Sequence, residues 1–172
     1  MAGYRLVWFQ HLHKAAGTYV IRRAQANGEK FWPNHENGNP VSNGKVIPLW
    51  EMESRELTSF IDECEEQGVT FVACEWGGPD YETLANDERV TMLTCLRDPI
   101  KRLVSNFNYD HYWMWTKATS YQEYIAEGHL HSSPEYYTKI FARGELDSNK
   151  AKANIDLFDY VIVAEDGMAA LD

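Results

Sequence analysis

Residues 4–18 read Tyr4-Arg5-Leu6-Val7-Trp8-Phe9-Gln10-His11-Leu12-His13-Lys14-Ala15-Ala16-Gly17-Thr18. The first seven are a short apolar run suited to a buried strand. Gly17-Thr18 opens a helical stretch carrying Val20, Ile21 and Ala24. Between them lies a tight loop. Three further strands are predicted downstream, over residues 69–74, 89–96 and 160–164. Helices separate them. One begins at Ser54, with Leu57, Phe60 and Ile61 at helical spacing, and ends at Gln67-Gly68. A long one begins near Pro99. Strands alternating with helices imply an α/β fold with a mostly parallel sheet flanked by helices in three layers. Residues 27–48, rich in Asn, Gly and Pro, read as a long irregular loop, which is uncommon unless it has a role.

The 172 residues suit a single domain over 1–172. Apolar residues make up 44%, enough for a core. No run reaches the length of a membrane span, and no signal peptide is read at the start. Cys64, Cys74 and Cys95 are too few for a disulfide framework and point to a reducing cytoplasm. The net charge of −10 argues against a general nucleic-acid binder. The charge is uneven, however. Residues 1–50 hold six Lys/Arg against two Glu, whereas residues 51–90 hold two Arg against twelve Asp/Glu. The acidic stretch reads as a solvated helix face. The basic first third can hold a small anion.

Ligands of α/β folds sit beyond the carboxyl ends of the strands. Loops 11–18, 75–79 and 97–99 qualify. The first is the recipe of a phosphate cradle. It has a helix N-terminus with unpaired N–H groups, a lysine at Lys14, a hydroxyl at Thr18, and Gly17 for close approach. It lacks the GxxxxGK[ST] order of a nucleoside-triphosphate loop. The third stretch reads Leu96-Arg97-Asp98-Pro99-Ile100-Lys101-Arg102-Leu103-Val104-Ser105. Asp98 fits the N-cap and Pro99 the first helical position. Ile100, Leu103, Val104 and Phe107 fall at the spacing of a buried stripe. Arg97, at the strand's end, and Ser105, off the stripe, are candidates to grip a second phosphate.

Two anion-holding loops in this order resemble the cofactor site of sulfotransferases that use 3′-phosphoadenosine 5′-phosphosulfate (PAPS). Residues 11–18 are similar to the family's 5′-phosphosulfate loop, H-I-P-K-x-[GA]-G-T. Residues 96–105 are similar to its 3′-phosphate motif, L-R-D-P-x-x-R-x-x-S. Tyr136-Tyr137-Thr138-Lys139-Ile140-Phe141-Ala142-Arg143-Gly144 resembles an N-x-x-T-R-x-L-x-G stretch of the carbohydrate-type branch. Phe158-Asp159-Tyr160-Val161-Ile162-Val163-Ala164-Glu165 resembles that branch's F-D-x-V-G-x-T-E strand. His13 stands where proline is usual, and Glu135 stands where asparagine is. Relatives continue past the fourth strand with a helix and a basic loop. The chain is thus expected to be a minimal member or a fragment with an incomplete lid.

The resemblance implies a P-loop nucleotide-hydrolase-like class and sulfuryl transfer from PAPS to an acceptor hydroxyl, such as that of a carbohydrate. Lys14 would neutralise charge at the leaving phosphate. The backbone N–H groups of Ala15, Ala16, Gly17 and Thr18, with the Thr18 hydroxyl, would hold the 5′-phosphate, and Arg97 with Ser105 the 3′-phosphate. No metal is required. His11-x-His13 and His129-x-His131 are only pairs. Glu75, ending the second strand beside Trp76-Gly77-Gly78, is the leading general base, with room left by the glycines for an acceptor. His11, His13 and His111 are alternatives. Tyr109, His111, Tyr112, Trp113 and Trp115 are best explained as a core stripe. The competing functions are a P-loop-type kinase using ATP and a nucleotide-binding module without catalysis.

Overall fold

The apolar run at the start forms β1 (Leu6–Gln10), and all five of its residues are buried. In the computed structural model, which describes residues 3–165, β1 is flanked by parallel neighbours on both sides. β5 (Phe71–Cys74) pairs on one side, with Val7 opposite Phe71. β6 (Val90–Leu96) pairs on the other, with Val7 opposite Thr91. β7 (Tyr160–Val163) joins the outer edge of β6, so the order is β5-β1-β6-β7. The protein is therefore α/β with a four-stranded parallel sheet flanked by helices, as the alternation predicted.

Successive side chains of β1 face opposite ways, and each face is covered. Leu6 and Trp8 pack with Leu57, Phe60 and Ile61 of α2 (Ser54–Gln67), and with residues of α3 (Tyr81–Ala85), α6 (Tyr136–Phe141) and α7 (Ser148–Ile155). Val7 and Phe9 pack with Ile21 and Ala24 of α1 (Gly17–Ala26). Among the described residues no helix is long and apolar enough to cross a membrane.

Residues 27–48 are more ordered than the irregular loop expected. They contain an antiparallel meander of β2 (His35–Glu36), β3 (Asn39–Ser42) and β4 (Lys45–Val46). Alternation was too brief to signal strands this short. The meander docks on the free edge of β5, where Ala73 N–H donates to the Gly38 carbonyl at 2.9 Å.

α4 (Pro99–Tyr112) begins as expected. Asp98 caps it by accepting the Lys101 N–H at 2.9 Å, and Pro99 opens its first turn. Its buried face is not the predicted one. Ile100 is 73% exposed. The buried residues are Arg102, Asn106 and Asp110, a polar stripe at i, i+4, i+8. Polar partners satisfy most of their atoms, although Arg102 Nη1 and Asn106 Oδ1 have no hydrogen-bond partner among the described residues. Arg102 donates to the carbonyls of His131 (3.1 Å) and Ser133 (3.4 Å) and lies over the Tyr136 ring. Asn106 donates to Asp110 at 3.1 Å, and both bond the hydroxyl of Tyr124, on α5 (Tyr121–Ala126). Hydrophobic spacing cannot reveal a face buried by polar pairing.

The aromatic cluster is also not core. Tyr112, Trp113 and Trp115 are 77%, 50% and 67% exposed, and Trp113 and Trp115 stack on each other.

Candidate functional site

The strand order reverses direction between β1 and β6. The chain moves from β1 outward to β5, then returns past β1 to β6. Ligands of open α/β sheets bind at the carboxyl ends beside such a reversal. Here loops 11–18 and 97–99 meet. A cleft of about 810 Å³ opens there, lined by Lys14, Ala16, Gly17, Thr18, Glu75, Arg97 and Ser105 among others. Residues more than eighty positions apart in sequence thus share one wall.

Gln10 fixes the floor. Its amide donates to the carbonyls of Cys74 (2.8 Å) and Gly77 (3.1 Å), and it accepts from Tyr81 at 3.0 Å. This buried fan ties the ends of β1 and β5 together. The chain then turns through two left-handed residues, Lys14 (φ 61°) and Ala16 (φ 66°). Neither is glycine, so the loop holds local strain, a property that clusters at functional sites. Ala16 is the N-cap of α1 and offers no side-chain cap. The first-turn N–H groups of Gly17 and Thr18 therefore face the cleft without a capping oxygen. Ala15 does not join them. Its side chain lies in the core, and its N–H donates to the Leu12 carbonyl at 3.1 Å. Gly17 is needed for a reason the sequence did not show. A Cβ there would fall inside the buried His11 ring.

Two cations meet across the cleft. The Arg97 guanidinium donates to the Lys14 carbonyl at 3.3 Å and lies 3.7 Å from Glu165 through Nε. Its backbone is clamped by Tyr137, whose hydroxyl donates to the Arg97 carbonyl (2.7 Å) and accepts its N–H (3.2 Å). The Lys14 ammonium sits 4.0 Å from the centre of the Tyr109 ring. Among the described residues it has no carboxylate partner within 4.0 Å. Burial, then the nearby Arg97 charge, lowers the Lys14 pKa, with Asp110 opposing. An anion between Lys14 and Arg97 would relieve that repulsion.

Glu75 is buried opposite them and saturated with donors. His13 Nδ1 lies 3.2 Å from one carboxylate oxygen. The other oxygen accepts from Asn39 at 3.3 Å and faces His11 Nδ1 at 3.4 Å. Asn39 also accepts the Glu75 N–H at 3.0 Å. This is what the meander delivers to the site. Burial alone would raise the Glu75 pKa. The His13 bond, the His11 and His13 charges and the Asn39 amide outweigh it and hold the carboxyl below its usual range. Glu75 is thus a firmly ionised anchor and a weak base.

The histidines differ in kind. His11 is buried, and desolvation lowers its pKa against the pull of Glu75. His131, read in the sequence only as half of a histidine pair, lines the cleft 4.5 Å from His13 between ring centres. Burial, then His13, pushes its pKa down to about 3. His111 is not part of the cleft wall, and its Nε2 is occupied by the Ala118 carbonyl. Among the described residues no group of three His, Cys, Asp or Glu is placed to hold a metal.

Open space does adjoin Gly77 and Gly78, but it belongs to a second cavity that both glycines line and not to the Lys14 cleft, and each glycine is itself closely packed. A Cβ on Gly77 would lie 2.7 Å from Trp50, and one on Gly78 would run into the Ile140 carbonyl. The glycines allow close packing, and the neighbouring Trp76 stands at the rim, 45% exposed. Asn39 is the site residue that sequence reasoning missed, and only tertiary structure brings it in; Trp76, Tyr109 and His131 were read there as a strand-end neighbour, part of a core stripe and half of a histidine pair. The chain matches no protein-family model and no curated protein.

Proposed function

We propose that the cleft binds PAPS and that the protein is a sulfotransferase of the P-loop nucleotide-hydrolase-like, three-layer class, moving a sulfuryl group to an acceptor hydroxyl such as that of a carbohydrate. One observation carries this reading. Lys14 and Arg97 converge at the switch point of the sheet, joined through the Lys14 carbonyl, beside an uncapped helix N-terminus. That is a place for two phosphate groups, one at each loop. The volume of about 810 Å³ suits a nucleotide.

When bound, the donor supplies the sulfuryl group and a phosphate leaving group. The first-turn N–H groups of Gly17 and Thr18 and the Thr18 hydroxyl bind the 5′-phosphate. Lys14 neutralises charge at the bridging oxygen. Arg97 and Ser105 bind the 3′-phosphate. For the acceptor proton the geometry favours His13 over Glu75. The Glu75 carboxylate holds Nδ1 of His13 in its N–H form, leaving Nε2 as the proton acceptor. Glu75 is then a positioning residue. As the acceptor oxygen bonds to sulfur and the sulfur–phosphate oxygen bond breaks, the acceptor proton passes to Nε2.

The direct test is a turnover assay with PAPS and a panel of carbohydrate acceptors, read as adenosine 3′,5′-bisphosphate released. Acceptor-dependent release that vanishes in Lys14→Ala supports the reading. No release, together with no binding of the bisphosphate, overturns it.

A further inference from the structure

A second cavity of about 610 Å³ lies behind Trp76. Trp76 lines both cavities. Leu130 faces the second, and its neighbour His131 faces the first. The second cavity holds Trp50 and three cations, Lys139, Arg143 and Lys150. Its carboxylate, Glu145, is already paired with Lys150 at 2.6 Å. Among the described residues Lys139 and Arg143 make no ion pair. The cavity thus carries two cations without a carboxylate partner, in a chain of net charge −10.

The backbone singles out Arg143. It follows α6, where the Gly144 N–H returns to the Lys139 carbonyl (2.6 Å) and the Arg143 N–H to the Ile140 carbonyl (3.2 Å). This closure normally places glycine at its left-handed position. Here that position is Arg143, at φ 56°, while a glycine stands one residue later. A strained residue whose side chain lines a cavity points to use of that side chain.

We propose that this cavity is a binding site for an anionic ring compound, with the ring against Trp50 and Trp76 and its carboxylate or sulfate ester on Lys139 and Arg143. Indole faces suit ring stacking, and a guanidinium fork suits either oxyanion. Trp76 lines both this site and the Lys14 cleft, so a ligand held here that also enters the cleft would be the acceptor. That step rests on the sulfuryl-transfer reading; the anion site itself does not.

The experiment is calorimetric titration of the full chain with three disaccharides of one skeleton: neutral, glucuronate-bearing, and sulfate-monoester-bearing. The two charged arms show which anion is preferred. Both are expected to bind at least tenfold more tightly than the neutral one. Arg143→Gly and Lys139→Gln should each weaken them roughly tenfold, the scale of one charge-assisted contact. Arg143→Gly suits the left-handed backbone, so its melting temperature should hold or rise. Adenosine 3′,5′-bisphosphate should bind both variants as it binds the parent. Equal binding of charged and neutral disaccharides, or no effect of either substitution, overturns the proposal. If the disaccharide pattern holds while the bisphosphate fails to bind the parent, the donor reading falls and the anion site stands.

Discussion

The guanidinium of Arg97 donates to the backbone carbonyl of Lys14 at 3.3 Å, across the seam where the sheet reverses its strand order. One cation thus braces the loop that presents the other. Arg97 has a further hold on Glu165 at 3.7 Å, but that carboxylate also faces Lys101 at 3.9 Å and is shared. The pair is therefore under-neutralised at the point where an anion would enter. A bound phosphate would stabilise the native state through these two charges.

Thermal stability gives the first check. A ligand that binds only the folded state, at a hundred times its dissociation constant, adds about 2.7 kcal/mol. For a chain of this size that is a shift of roughly 5–10 °C. Adenosine 3′,5′-bisphosphate should approach that shift, and ADP and ATP should fall clearly below it. Differential scanning fluorimetry reads the outcome directly; equal shifts would show that the second phosphate site does not exist.

Arg97→Ala should separate the two phosphates. Loss of a charge-assisted contact costs about 1.5–3 kcal/mol. The cost should fall on 3′-phosphorylated ligands and spare their 3′-hydroxyl counterparts. Because Arg97 is half-buried and braces Lys14, a small uniform loss on all nucleotides is expected as well. Titrating both ligand types against the variant separates the two effects.

Gly78→Ala tests the close packing of the 75–79 loop against α6. The new methyl would meet the Ile140 carbonyl, a backbone atom that cannot swing aside. Overpacking of this kind costs about 1–3 kcal/mol. Gly3→Ala, where a Cβ meets nothing within 4 Å, is the control and should be neutral. Paired denaturant melts measure the difference.

Much of this was legible beforehand, and the gaps have one cause. The four strands of the sheet are short, mainly apolar runs, and the α4 start carries its own cap and proline, so local sequence located them. Lys14, Gly17, Thr18, Arg97 and Ser105 follow strand ends or helix starts and could be placed by topology. Arg102, Asn106 and Asp110 could not, because their burial depends on Tyr124 and on carbonyls near residue 131. Asn39 could not either: only the docking of the meander on β5 brings it to Glu75. Polar burial and long-range pairing leave no period in a sequence.

Acid should destabilise the protein well above the range of ordinary carboxylates. His11 and His131 have folded pKa values below their unfolded ones, His131 at about 3. Between about pH 6.5 and those lower values the unfolded chain binds more protons, so stability falls as pH falls. Glu75, also lowered, adds a loss in the same direction below its unfolded value. Each group can contribute up to about 1.4 kcal/mol per pH unit where it differs fully between states. Urea melts from pH 7 to 4 should show the decline, and His131→Asn should flatten it between pH 6.5 and 4. An unchanged slope in that variant would place the effect elsewhere.

His13→Gln and Glu75→Gln should then divide the chemistry. His13 Nδ1 is held 3.2 Å from Glu75, and Glu75 is held in turn by Asn39 and faced by His11. A base that is already ionised far below neutral pH takes a proton poorly; an imidazole oriented by it takes one well. With an acceptor in hand, His13→Gln should lower turnover by about 10²–10⁴-fold, the usual worth of general acid–base catalysis, while leaving bisphosphate binding intact. Glu75→Gln should lower turnover less, because His13 keeps its ring nitrogen as the proton acceptor and loses only the carboxylate that orients it. The two variants combined should cost little more than His13→Gln alone, since the groups act as one unit. If instead Glu75→Gln abolishes turnover and His13→Gln keeps it, the carboxylate takes the proton itself, and His13 only neutralises it.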